Sequence, residues 1–294
     1  MADTRLFPED GLFHRTAKAS AKAFYRLLWR CLWLHPERVP AEGPVLLVAN
    51  HPSYLDPLCV YAGAPRRIHW MAWDNLFTIP WMGPFIRRAG AFPVNDLAAD
   101  VASLRTATRL LREGKVVGVF PEAGRSLPGG RMFPFLAGPF RLAVRCGCPI
   151  VPVTVNGSGR IWPRGQVLPG LGSGIEVVFH RPILPDPDLP AGGRPGAGAF
   201  GAPGRAPGET AHPSAAARAE ALARRARRAI LSAYRAPLGA LERSARPEVV
   251  EPAGHPILRA DREGSPLLEW IRRNPRWEEE GGMGNAEGGT RNAE

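Results

Sequence analysis

Lysine is nearly absent from this 294-residue chain: of its 38 basic side chains only 3 are lysine, and the rest are arginine. Alanine, glycine and proline are inflated alongside arginine, so the skew is compositional and is not read as selection for arginine chemistry. Cysteine is scarce too. Four residues do not make a disulfide scaffold, which predicts a protein working in a reducing, cytosolic setting. Long apolar runs are missing. The longest stretch without Asp, Glu, Lys or Arg, Cys146 to Gly159, spans 14 residues and contains Pro149 and Pro152, whereas a spanning helix needs about 20 apolar residues. The opening MADTRLFPEDG lacks a basic start followed by an apolar stretch, so no secretory signal is expected. Zinc-finger spacings and RNA-recognition signatures are lacking as well.

What is present is a chain that is 45% hydrophobic, enough to bury a sizeable core. Its length suits one large domain, or one domain with appendages. A net charge of +11 leaves nucleic acid, an anionic membrane surface and a small anionic substrate as classes of partner, and charge alone does not choose among them.

Residues 11–34 predict a helix. Arg15, Lys18, Lys22, Arg26 and Arg30 fill an arc of about 120° at helical spacing. Phe13, Ala17, Phe24, Leu27, Leu28 and Cys31 project from the opposite side. The pattern fits a helix lying in a membrane interface, and equally a surface helix docked on the protein's own core.

From residue 44 to about 180, short apolar runs alternate with helical patterns. Strands are expected at 44–50, 67–72, 91–94, 115–120, 149–155 and 175–180, and helices at 54–62, 97–113 and 135–146. The longest helix is expected to bury Leu97, Val101, Leu104, Thr108 and Leu111. The fold class is therefore α/β: a mixed, largely parallel sheet flanked by helices, with an amphipathic N-terminal helix and a disordered C-terminal tail. The chain divides into a membrane-interface helix (1–40), an α/β core (41–183), a Gly/Pro-rich linker (184–213), an Arg-rich helix completing the core (214–236) and a mostly disordered tail (237–294). Leu222, Ala226, Ile230 and Tyr234 should face the core from the Arg-rich helix. Its other faces, which include Arg227, read as solvated, and no nucleic-acid partner is expected.

Two segments carry chemistry. In NHPSYLDP (50–57) an apolar strand ends at Asn50, and His51 follows where the chain turns into a helix. Sites in open α/β sheets gather at the carboxyl ends of strands. Asp56, about one turn on, can accept a hydrogen bond from one imidazole nitrogen and leave the other as a base. Equally, Ser53-x-x-Asp56 reads as an acidic capping box and His51 as a core histidine. In VVGVFPEAGRS (116–126) a strand delivers Glu122, Gly124, Arg125 and Ser126 into a loop. Arg125 suits a phosphate or carboxylate, and Gly124 lets backbone N–H groups approach an anion. Glu122 either binds a substrate hydroxyl or braces Arg125. The plainer alternative is a strand-end turn with a surface Glu–Arg pair.

His51-x-x-x-x-Asp56 followed by Phe120-Pro121-Glu122-x-x-Arg125-Ser126 resembles the glycerolipid acyltransferases of the 1-acylglycerol-3-phosphate O-acyltransferase (lysophosphatidate acyltransferase) type. IPWMGPFIRRAGAFPVND (79–96) and PIVPVTVNGSG (149–159) look like two further blocks of that family. The likeness covers about residues 40–180. It implies that His51, oriented by Asp56, deprotonates an acceptor hydroxyl that attacks an acyl thioester directly. The donor would be acyl-CoA or acyl-carrier protein, and the acceptor a lysophospholipid such as 1-acylglycerol-3-phosphate. Glu122, Gly124, Arg125 and Ser126 would hold the acceptor head, Pro152 would shape the site floor, and Phe85, Ile86, Phe92 and Phe133 are candidates to line an acyl groove. No metal or cofactor is implied. The protein would sit peripherally on the inner face of the cell membrane.

Two departures bear on the acceptor. Val94, Asn95 and Asp96 stand where the family usually has Ile/Val-Asp-Arg, so Asp96 replaces an arginine assigned to the phosphate; Arg87 and Arg88 are candidates to compensate. Ala123-Gly124 replaces the usual Gly-Thr pair. Other lipid acceptors, ornithine-type aminolipids included, stay open, as does a non-catalytic lipid-binding protein. Oligomeric state is not legible.

Overall fold

The computed structural model describes residues 12–80, 82–94, 101–126, 132–163, 166, 168–171, 174–185, 213–235 and 249–250. In chain order the strands are β1 (Leu32–Leu34), β2 (Val45–Ala49), β3 (Ile68–Trp73), β4 (Phe92–Val94), β5 (Val116–Val119), β6 (Phe135–Leu136), β7 (Ile150–Asn156), β8 (Glu176–Phe179) and β9 (Val249–Val250). The helices are α1 (Leu12–Trp29), α2 (Asp56–Gly63), α3 (Met82–Ala89), α4 (Val101–Arg112), α5 (Gly138–Cys146), α6 (Ser158–Ile161) and α7 (Ala215–Ala233). Seven strands form one sheet in the order β1-β8-β7-β2-β5-β3-β4. All its neighbours run parallel except β7 and β8. β6 and β9 pair separately.

The uniformly apolar strands are buried on both faces. In β2, Val45, Leu47 and Ala49 face one core layer with α1 and α2, while Leu46 and Val48 face a second with α4, α5 and α7. Strand side chains alternate between faces, so one strand of five apolar residues serves both layers. Among the described residues no helix is long and apolar enough to cross a membrane.

Several elements depart from expectation. The helix expected over 11–34 ends at Trp29. Arg30 takes a left-handed φ of 46°, and residues 32–34 extend the sheet beside β8. α1 docks on the protein's own core through Ala21, Tyr25 and Trp29, while Phe24 and Leu27 point outward. Lys18 lies over the Tyr61 ring, and Lys22 and Arg26 lie over Trp33, so these cations flank the docked face. In α4 the buried stripe is Ser103, Ala107, Leu110 and Leu111; Val101 and Leu104 are exposed. The small residues at 103 and 107 let the helix lie close to its neighbours. α5 starts at Gly138 because Phe135 and Leu136 pair with β9. Leu222, Ala226 and Ile230 of α7 are buried as expected, but so is Arg227. The expected linker and tail fall, apart from residues 184–185, 213 and 249–250, outside the described residues, as does Asp96.

Candidate active site

β2 and β5 are parallel neighbours, so the segments that follow them emerge side by side at the same end of the sheet. β2 delivers His51, and α2 begins at Asp56 with Pro57 in its first turn, where a missing N–H costs nothing. His51 Nδ1 lies 2.9 Å from Asp56 Oδ2. The Asp56 carboxylate is fully buried, while the His51 side chain keeps 17% of its surface exposed. Ser53 N–H also donates to Oδ2, at 2.7 Å, and Ser158 Oγ donates to Oδ1 at 2.6 Å. Ser53 and Ser158 both donate to the acid, so it faces the ring as an acceptor. The ring nitrogen facing it is then the protonated one. Nε2 is left with no protein partner among the described residues and available as a base.

Stacking fixes the plane of the imidazole. Phe120, just past β5, lies against it with ring centroids 4.0 Å apart. Trp70 of β3 stacks on the other face of Phe120 at 4.7 Å. From the α1 side, Tyr25 Oη donates to Leu55 O at 2.8 Å and supports the turn between His51 and Asp56.

The loop after β5 interlocks with that turn. Glu122 is fully buried. Its Oε1 accepts from His51 N–H at 2.8 Å, and its Oε2 accepts from Phe133 N–H at 2.7 Å and Ser126 Oγ at 3.0 Å. Ser126 N–H returns a bond to His51 O at 2.8 Å. Burial raises Glu122 from 4.5 to about 7 against the pull of these donors. Expected to meet a substrate hydroxyl or to brace Arg125, Glu122 instead ties three backbone segments together. Ala123, where the resemblance expects glycine, takes a left-handed φ of 56°. Gly124 and Arg125 are partly exposed at the tip. The Arg125 guanidinium lies 3.4 Å above the Tyr54 ring, so the loop's cation rests on the turn that carries His51.

Other expected residues lie apart. Pro152 is a buried β7 residue level with Val48, below the strand ends. Arg87 and Arg88 are exposed on α3. The Arg88 carbonyl accepts from Arg67, just before β3, and Arg87 lies over Phe77. The Arg88 backbone thus lies toward the start of β3, whereas the Arg87 side chain lies against the segment that follows β3. Phe92 and Ile86 pack with opposite core layers, Phe85 is half exposed, and Phe133 is buried beside Glu122.

Phe120, Tyr54 and Ser158 lie within the quoted sequence blocks but were given no role of their own, and Trp162 lies outside them. Trp162 O accepts from Ser53 Oγ at 2.9 Å, and its ring meets Tyr54. The available signal was positional: Ser158 follows β7, the other neighbour of β2, at the same end of the sheet. Among the described residues no group of three His, Cys, Asp or Glu could hold a metal ion.

Comparison with known proteins supplies the remaining observation. The Acyltransferase family model matches residues 34–156. A 1-acyl-sn-glycerol-3-phosphate acyltransferase of Bacillus subtilis is 31% identical over 122 residues, which cover 41% of this chain and 60% of that protein. The chloroplastic enzyme BAT2 of Brassica napus is 30% identical over 172 residues, 54% of this chain and 49% of that one. A probable enzyme of the same name from Mycoplasma pneumoniae is 30% identical over 186 residues, 56% and 68%. The chain thus spans between about half and two thirds of the length of these relatives. The crystal structure of the 1-acyl-sn-glycerophosphate (LPA) acyltransferase PlsC from Thermotoga maritima is similar with a TM-score of 0.52 and 25% identity, over 58% of this chain and 69% of that one.

Proposed function

This chain belongs to the Acyltransferase family, and from that premise we propose that it moves a fatty acyl group from a thioester donor, acyl-CoA or acyl-carrier protein, to the hydroxyl of a lysophospholipid such as 1-acylglycerol-3-phosphate. The observation that carries the proposal is His51, held through Nδ1 by a buried carboxylate and presenting Nε2 beside the Arg125 loop.

In this mechanism His51 Nε2 takes the proton from the acceptor hydroxyl as its oxygen attacks the thioester carbonyl carbon. The new C–O bond forms, the C–S bond breaks, and the imidazolium returns its proton to the departing thiolate. Asp56 steadies the imidazolium while the proton is held there. Stacking on Phe120 keeps the ring from turning away, and an electron-rich face beside a transient cation is favourable. Arg125 offers a planar, permanent cation to the acceptor's phosphate. Asp96 needs no phosphate-binding role in this reading.

With a lipid acceptor and a lipid product, the proposed work lies at a bilayer surface, which we take to be the inner face of the cell membrane. Phe24, Leu27, Leu168 and Leu171 support this: Leu27 is 83% and Leu171 88% exposed. Trp29 joins the two segments, since its Nε1 donates to Gly170 O at 3.1 Å. Exposed Arg26 and Arg30 lie alongside, an apolar edge with cations suited to anionic headgroups.

The test is thiol release from acyl-CoA across lyso-acceptors with and without phosphate, using wild type and His51→Ala. Turnover with 1-acylglycerol-3-phosphate that disappears in the variant, with folding intact, supports the assignment. Retained turnover in the variant removes His51 as the base, and turnover confined to phosphate-free acceptors refutes the acceptor.

A further inference from the structure

Ser158 lies two positions beyond the segment the family model covers, yet its side chain is fully buried against the reactive pair. We propose that Ser158 is a positioning residue of the acyl-transfer site, fixing the Asp56 carboxylate so that it holds His51 in the reactive tautomer. This rests on the proposed function above.

Three observations carry the inference. The first is the division of donors on Asp56. Ser53 N–H and His51 Nδ1 both use Oδ2, while Ser158 Oγ reaches Oδ1 at 2.6 Å. With bonds on one oxygen only, a carboxylate can swing about its Cβ–Cγ bond. A donor on the other oxygen fixes the plane, and with it the direction offered to Nδ1.

The second is the construction of the turn that carries Ser158. Gly157 has a φ of 85°, and a Cβ there would stand 2.1 Å from the Gly174 carbonyl oxygen. A Cβ on Gly159 would meet Pro52, the neighbour of His51, at 3.0 Å. Asn50 locks the base of this turn, because its side chain donates to Val155 O and accepts from Val155 N–H. Ser53 Oγ then holds Trp162 O. The Gly157-Ser158-Gly159 turn is thus pressed against the 50–56 turn with room for no larger neighbour, and the hydroxyl between the glycines meets the acid.

The third is the company Asp56 keeps. Tyr25 of α1, Cys59 of α2 and Tyr234 after α7 all feel the charge of Asp56. Burial holds all three neutral by pushing them up. These three neutral groups supply no counter-charge, so at a fully buried carboxylate each hydrogen-bond donor counts.

The experiment compares full-length wild type, Ser158→Ala and Ser158→Cys. Thiol release is followed from pH 5 to 9, and the His51 Nδ1 proton resonance is followed in histidine-labelled protein. Losing a hydrogen bond to a charged group is expected to lower kcat about tenfold in Ser158→Ala, with KM within about twofold. The acid limb of kcat/KM should move up by about one pH unit. Cysteine, close in size but a weak donor, should fall between. The Nδ1 resonance should shift or broaden in Ser158→Ala. An unmoved resonance together with an unmoved acid limb overturns the role of Ser158. Absence of turnover in the wild type would instead refute the proposed activity, and the resonance would then decide the Ser158–Asp56–His51 coupling by itself.

Discussion

Replacing Glu122 with glutamine should remove a pH dependence of stability that wild type carries. Burial raises this carboxyl from 4.5 to about 7, so the folded state binds its proton more tightly than the unfolded state does. Such a group gives its full stabilisation below the unfolded value and loses it as pH climbs through the folded value. At 1.36 kcal/mol per pH unit, wild type is expected to lose about 2.5 kcal/mol from this group between pH 5 and pH 8. Glutamine does not titrate. Its oxygen can still accept on one side, but its NH2 faces donors on the other, a penalty of about 1–3 kcal/mol that does not change with pH. Relative to wild type, Glu122→Gln should therefore be less stable at pH 5 and draw level or better at pH 8. Urea midpoints across this range measure the difference, and groups that titrate alike in both proteins cancel. Parallel stability curves for the two proteins would refute the claim that this buried acid carries an ionisation cost at neutral pH.

Arg125→Ala should raise the KM for a phosphate-bearing acceptor about tenfold or more and leave that for a neutral acceptor little changed; Arg125→Lys, lacking the planar fork, should recover only part. Ala123→Gly should stabilise the protein by about 0.5–1 kcal/mol, because relief of a left-handed alanine outweighs the extra freedom of an unfolded glycine. A rise in melting temperature checks it, and a fall contradicts the strain argument. Leu27→Asp combined with Leu171→Asp should weaken flotation with anionic vesicles more than tenfold, since each buried leucine is worth about 1.5–3 kcal/mol. Unaltered flotation would exclude that edge as the lipid contact.

The legible features were those set by neighbours in sequence. β2 and β5 read as doubly buried strands because no position is polar, and β7 because only Thr154 and Asn156 interrupt its apolar run. His51 and Asp56 were legible because five residues, one turn and a proline fix their relation before anything else folds. The features that long-range contacts decide were not. Nothing local in LWL separates β1 from a last turn of α1; the break comes from Arg30 and from pairing with Glu176, Val177 and Val178. Val101 and Leu104 look like a core stripe, but the neighbours of α4 accept Ser103 and Ala107 instead. Glu122 looked like a substrate ligand because its three donors lie in other segments, at 51, 126 and 133. Ser158 falls inside the 149–159 block, but nothing local there points to Asp56, 102 residues away.

β1 and β8 pair although nearly all of the α/β layer is translated between them. On the ribosome, α1 therefore emerges long before the strand that anchors its C-terminal end. Until then the Trp29 backbone carbonyl lacks the Ile175 N–H that it accepts from, and the last turn of α1 has an incomplete seat. α1 can meet α2 early, through Tyr25 and Leu55, but completing the seat of its last turn becomes a late step of folding. Nascent chains stalled before residue 174 should accordingly be cut by protease within residues 12–34, and protection there would contradict this order of assembly.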